Sequence, residues 1–189
     1  MKLVVIGASW GGLYALMDLL GALPTDFPCP IAVVQHRSHD DSDTTRLAHV
    51  LARYSALPLA DADDRAAPEP GHVYLAPADY HLLVERGHFE LTVDELVQHS
   101  RPSIDVLFES AANTYGPDVA GVLLTGFGRD GAAGMERIRE RGGVTIAEDP
   151  ETAMQPSMPK AAIDRGVVDE ILPLGAIAPR LVQLSQVAA

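Results

Sequence analysis

A chain of 189 residues, 47% apolar and 21% charged, has the size and balance of one ordinary globular domain with a sizeable core. Its formal net charge of −12 disfavours nucleic acid and anionic membrane as partners, since neither is attracted over long range. No apolar run approaches the roughly 18–20 residues that span a bilayer, no signal-peptide pattern follows Lys2, and the lone Cys29 forms no intramolecular disulfide, which together point to a reducing cytoplasm.

Leu3–Ile6 reads as a short strand and Leu13–Leu20 as a helix stopped by Gly21 and Pro24. Ile31–Val34 is a second strand-like run ending at Gln35-His36, and Arg46–Tyr54 sets Leu47, Val50, Leu51 and Tyr54 on one helical face. The acidic stretches His39–Asp43 and Asp61–Asp64 read as solvated loops, and the first lacks calcium-loop spacing. After a Pro-rich connector at Ala66–Gly71 come short strands at Val73–Leu75, Leu82–Val84 and Phe89–Thr92, which suggest an antiparallel hairpin excursion over about 72–92.

Ile104, Leu107, Phe108, Ala111, Ala112 and Tyr115 recur at helical spacing, with Ser103 as N-cap and Gly116 just past the end. Val119–Thr125 is a buried-strand run and Ala132–Arg141 a helix closed by Gly142-Gly143. A strand at Val144–Ala147, a short helix at Lys160–Arg165, a strand at Val167–Leu172 and a helix at Ala176–Leu184 complete the chain. Continuously apolar strands separated by helices predict a doubly wound α/β fold. Its sheet is mainly parallel, with helices on both faces and the antiparallel excursion added, in a single domain over 1–189.

Chemistry concentrates at three strand ends. Gly7, Ser9 and Gly11 match the G-x-S-x-G nucleophile elbow, in which a tight strand-to-helix turn exposes a serine above a helix N-terminus. His36 follows the second strand, and Asp130 follows the strand ending in Leu123-Leu124-Thr125. Ligands in such sheets bind outside the carboxyl ends of the strands, so the three can converge. There His36 would take the Ser9 proton and Asp130 would orient the imidazole. The order Ser…His…Asp excludes the α/β-hydrolases, whose order is Ser…Asp…His.

Structural readings stand beside these. Ser9 can cap a helix, His36 can be a hydrogen-bonded structural histidine, and Asp130 can be a turn or N-cap residue. Gly7-x-Ser9-x-x-Gly12 also approximates a dinucleotide-binding fingerprint. Serine replaces its middle glycine, and Gln35-His36 stands where an acidic residue is expected. A noncatalytic docking module that kept the fold is a third class.

Five ordered blocks resemble the catalytic domain of the chemoreceptor methylesterases of the CheB type: Ile6–Gly12, Val34–His36, Arg101–Phe108, Leu124–Gly134 and Met158–Ala162. The end Val168–Leu174 is similar too, so the resemblance covers about residues 1 to 184. It implies hydrolysis of glutamyl 5-O-methyl esters on chemoreceptor helices to glutamate and methanol, with deamidation of certain receptor glutamines. Carried onto this chain, Ser9 is the nucleophile, His36 the base and then the acid, and Asp130 the orienting carboxylate. The oxyanion and substrate pocket falls at Trp10, Gly11, Phe127 and Gly128, and neither a metal nor an organic cofactor is required. Partners would be methylated receptor cytoplasmic helices and other chemosensory signalling proteins.

Trp10 stands where a small or hydroxylated residue is common in the family, and Phe127 where methionine is usual. The sequence begins at the first catalytic strand, so no N-terminal receiver domain, and no regulation by phosphorylation in cis, is expected. Receptor methylation regions are acidic, and a chain of charge −12 needs local positive charge to approach them. Arg37, Arg101, Arg129 and Lys160 are therefore expected along one rim of the cleft.

Overall fold

The computed structural model describes residues 1–36 and 44–186. The first strand, β1 (Leu3–Ala8), is buried along its whole length, so both of its faces need cover. Strand alternation sends Val4 and Ile6 into one apolar cluster and Leu3 and Val5 into another. After β1 come α1 (Gly12–Gly21), β2 (Ile31–Gln35), α2 (Thr44–Leu51), β3 (Leu59–Asp61) and β4 (Val73–Leu75). A hairpin of β5 (His81–Glu85) and β6 (His88–Thr92) precedes α3 (Ile104–Tyr115). The chain closes with β7 (Val119–Leu123), α4 (Ala132–Glu140), β8 (Val144–Glu148), α5 (Ser157–Asp164), β9 (Glu170–Leu172) and α6 (Leu174–Gln186).

Seven strands form one sheet in the order β3-β4-β2-β1-β7-β8-β9, and each neighbouring pair is parallel. Leu16, Leu19 and Leu20 of α1 and Ile177 and Leu181 of α6 cover one face. The other face is covered by Leu107 and Phe108 of α3, Met135 and Ile138 of α4, and Leu82, Val84 and Phe89 of the hairpin. This is the doubly wound α/β architecture expected, with helices on both faces.

The antiparallel part is smaller than its sequence suggests. Among the strands of the described residues only β5 and β6 pair antiparallel, whereas β4 joins the main sheet with Val73 opposite Ile31. A run of three residues, Val73-Tyr74-Leu75, carries no information about its partner, and the neighbouring hairpin drew it in by proximity. The same brevity hid β3, so Asp61 ends an edge strand rather than sitting in an acidic loop. Tyr54 lies past the end of α2 and is exposed rather than packed on its apolar face. The stretch His39–Asp43 lies outside the described residues.

β1 is the centre of the sheet, with β2 on one side and β7 on the other. The helix after β1 packs on one face and the helix after β7 packs on the opposite face. Their loops diverge, and the crevice between them opens at the carboxyl ends of β1, β2 and β7, the usual ligand position in such folds.

Candidate active site

Ser9 is the first residue beyond β1. Its N–H donates to the Thr125 carbonyl at 3.0 Å, and its own carbonyl accepts the Gly12 N–H at 2.9 Å. The turn between them needs Gly11 at φ 81°, a left-handed conformation that costs an L side chain about 1 kcal/mol or more. The Thr125 hydroxyl donates to the Trp10 carbonyl at 3.0 Å and fixes the far side of the turn. Among the described residues, the Ser9 hydroxyl has no hydrogen-bond partner, and α1 receives no side-chain cap. The N–H groups of Trp10 and Gly11 likewise meet no backbone acceptor there. Ser9 thus immediately precedes two N–H groups without a backbone acceptor at the start of α1, donors of the kind that stabilise a developing oxyanion.

His36 extends β2, its N–H donating to the Ala8 carbonyl at 2.9 Å. Its Nε2 lies 2.7 Å from Asp130 Oδ2, with both side chains largely buried. Asp130 is held by three further donors: the Ser103 hydroxyl at 2.9 Å and the N–H groups of Ile104 at 2.8 Å and Asp105 at 2.9 Å. Burial alone would raise this carboxyl. The hydrogen bond and charge of His36, together with the Asp105 and Ile104 N–H groups, outweigh burial and hold it below the usual carboxylate range. An ionised Asp130 only accepts, so Nε2 of a neutral His36 carries the proton and Nδ1 keeps the lone pair. The basic nitrogen of this imidazole is therefore Nδ1.

Asp105 lies beneath this pair and accepts the N–H groups of Gly131 and Gly134, each at 2.8 Å. Burial first, and the neighbouring Asp130 charge second, push its carboxyl up to about 6 against the pull of those N–H bonds. His81 is structural. Its buried Nδ1 accepts the Ser103 N–H at 3.1 Å, which leaves Nε2 to donate to the Glu95 carbonyl at 3.0 Å.

Ser9 and His36 line one cavity of about 500 Å³ with Trp10, Gly11, Tyr14, Gln35, Phe127 and Met154. Its mouth is apolar and exposed: Trp10 and Tyr14 are each 63% accessible, Met154 60% and Phe127 59%. The Trp10 and Phe127 rings meet at a centroid distance of 6.2 Å. A second cavity of about 480 Å³ adjoins on the other side of His36 and Phe127 and is lined by Gln98, His99, Ser100, Gly128, Arg129 and Asp130.

The sequence-derived positions thus divide. Ser9, His36, Trp10, Gly11 and Phe127 share the first cavity, and Asp130 reaches it through His36. Gly128 lines the second cavity, not the first. The basic rim does not assemble among the described residues, where Arg129 alone of the expected cations lines the cleft. Arg101 donates to the carbonyls of Val93 and Asp94, and Lys160 pairs with Asp164 one helical turn along α5. Asp164 offsets the charge of Lys160, the carbonyls only fix the direction of Arg101, and Arg37 lies outside the described residues. Ser103 occupies the N-cap position of α3, yet its hydroxyl serves Asp130 rather than the helix.

Tyr14, Met154 and Asp105 were not legible as site residues. Tyr14 and Met154 look like ordinary apolar positions until their exposure is known. Asp105 reads as an ordinary acidic residue in the first turn of a helix, where the dipole favours it. Among the described residues, no group of three or more His, Cys, Asp or Glu side chains is set to hold a metal ion.

The family model described as CheB methylesterase matches residues 4–181. A Carboxydothermus hydrogenoformans protein named protein-glutamate methylesterase/protein-glutamine glutaminase 1 is 46% identical over 186 residues, covering 95% of this chain and 54% of its own length. Protein-glutamate methylesterase FrzG of Myxococcus xanthus is 44% identical over 182 residues, covering 96% of this chain and 54% of its own. The chain therefore spans about half the length of these curated relatives. The crystal structure of the Thermotoga maritima CheB methylesterase catalytic domain superposes with a TM-score of 0.92 at 38% identity, covering 97% of this chain and 98% of that one. With a family match over nearly its whole length and the same fold as a solved member, this chain belongs to the CheB methylesterase family.

Proposed function

We propose that this chain is a catalytic unit that hydrolyses glutamyl 5-O-methyl esters on the cytoplasmic helices of methylated chemoreceptors. The observation that carries the reading is the His36–Asp130 pair at 2.7 Å, set beside an unbonded Ser9 hydroxyl at a helix N-terminus. Ser9 Oγ attacks the ester carbonyl while His36 Nδ1 takes its proton, and the oxyanion meets the N–H groups of Trp10 and Gly11. Collapse expels methoxide, which leaves as methanol with the proton from His36. Water then attacks the acyl-serine by the same route, releasing the glutamate side chain and restoring Ser9. Asp130 stays ionised and stabilises the imidazolium. Attack on a receptor glutamine amide by the same groups would release ammonia.

The family match and the names of the relatives support this activity and a place in chemosensory signalling, with receptor helices as partners. No helix among the described residues is long and apolar enough to cross a membrane, and action on cytoplasmic receptor helices places the chain in the cytoplasm under this reading. The test is methanol release from methylated receptor fragments by the wild type and by Ser9→Ala. Release that vanishes in the variant is expected. Equal release from both would move the nucleophile elsewhere, and no release from a folded wild type would redirect the site to another protein ester.

A further inference from the structure

Gln35 ends β2 between the two residues that the proposed chemistry uses, and only 9% of it is exposed. Its Nε2 donates to the Ser9 carbonyl at 2.8 Å and to the His36 carbonyl at 2.9 Å. Both neighbours only accept, so the amide must present its NH₂ end to them. Turning it over would set three oxygens against one another. This orientation leaves Oε1 buried with no partner among the described residues. Such orphaned atoms are uncommon in folded proteins and call for a reason.

The reason lies in what the NH₂ end joins. Ser9 and His36 leave different strands, and the bond from the His36 N–H to the Ala8 carbonyl stops one residue short of the nucleophile. The Gln35 amide spans that gap. Gly12 makes room for it, since a Cβ there would stand 2.2 Å from Oε1. We infer that Gln35 is a positioning residue, whose amide locks the nucleophile turn to the backbone of the base so that Ser9 and His36 keep one geometry. This rests on the Ser9–His36 chemistry proposed above.

Two near-isosteric variants test it. Gln35→Met removes the donor without adding charge. It should lower kcat for methanol release about 10- to 100-fold with KM within about twofold, while the thermal midpoint stays within a few degrees. Gln35→Glu has no donor when ionised, but its protonated form has one O–H that can reach one of the two carbonyls. Burial raises such a carboxyl, so the Gln35→Glu to Gln35→Met activity ratio should climb as pH falls from 8 to 6. Relief of the buried charge contributes to the same climb, so the donor itself is read from the Gln35→Met kcat at an unchanged thermal midpoint.

A Gln35→Met kcat within about twofold of wild type, or a flat ratio, overturns the inference. Should Gln35→Met fail to fold, Gln35→Glu is read against wild type over the same pH range, and a constant ratio there is equally fatal. Labelling of Ser9 by a fluorophosphonate, followed by mass spectrometry, separates this inference from the activity itself. If the wild type releases no methanol, the substrate reading fails. Equal labelling rates in wild type and the folded variant would still overturn the positioning role.

Discussion

The Asp130 carboxylate caps a helix to which it does not belong. Oδ2 accepts the Ile104 N–H and Oδ1 the Asp105 N–H, the first two donors of α3, while Ser103 at the N-cap gives its hydroxyl to the same carboxylate. One anion thus satisfies the helix start, matches its positive end and holds His36.

Ser103→Ala and Asp130→Asn should therefore separate in magnitude. The alanine removes one of four donors to a carboxylate that keeps its charge, and we expect a few-fold loss of kcat and about 1 kcal/mol of stability. The asparagine removes the charge and turns an NH₂ toward backbone donors. It should lower kcat about 10³- to 10⁴-fold and weaken the start of α3. Methanol-release kinetics and urea unfolding read both effects, and equal losses in the two variants would contradict the shared-cap geometry.

Asp105 sets an acid-side stability trend. Its folded carboxyl ionises at about 6 against an ordinary value of 3.8, so between those values the native state binds more protons than the unfolded chain. Stability from this group rises as pH falls through 6 and levels off below about 4, with a ceiling near roughly 3 kcal/mol. Glu148, raised chiefly by burial, adds to the same trend and is common to wild type and variant. Asp130, held low, opposes it only at more acidic pH. Denaturation midpoints from pH 7.5 to 4.5 should climb less in Asp105→Asn than in wild type, and parallel curves would refute the assignment.

The exposed wall at the cavity mouth should act on large substrates alone. Removing one apolar anchor of this size loses enough burial to raise KM about tenfold. Trp10→Ala should show that rise on receptor fragments with kcat little changed, because its ring lies at the mouth and its backbone N–H remains. A small activated ester, which does not span the wall, should be hydrolysed as by wild type. A matching defect on both substrates would place Trp10 in the chemistry itself.

Gly126→Ala tests how tightly the nucleophile is seated. An added Cβ would lie 2.6 Å from Met158 Cε and 2.7 Å from Ser9 Cβ. The methionine end can yield, but Ser9 can yield only by moving its hydroxyl. We expect kcat to fall about 10- to 100-fold, with a smaller effect on the thermal midpoint. Unchanged kcat in the variant would show that Ser9 has slack.

Legibility followed signal length. The helix of Ile104–Tyr115 repeats its apolar face over three turns, and the structure has it with the same bounds, Ile104, Leu107, Phe108, Ala111 and Ala112 buried and Tyr115 partly so. β3 and β4 have three residues each, too few to declare a period or a partner, and one was unread while the other was joined to the wrong sheet. Trp10 and Phe127 were legible as reshaped positions because they sit inside dense motifs. Met154 sits in a loop far along the chain, and only folding brings it to the same mouth.

The sequence by itself determined the local chemistry: a glycine-bracketed serine after an apolar strand, a histidine and an aspartate after two others, and periodicities that demand a covered parallel sheet. Those are short-range properties, written in neighbouring residues. Tertiary structure alone decided which nitrogen of His36 is basic, because Asp130 arrives from 94 positions away to take Nε2. It also decided that Gln35 bridges the carbonyls of Ser9 and His36. Hydrogen bonds and ion pairs act over a few ångströms, and the distances that set them are fixed only when the strands are placed side by side.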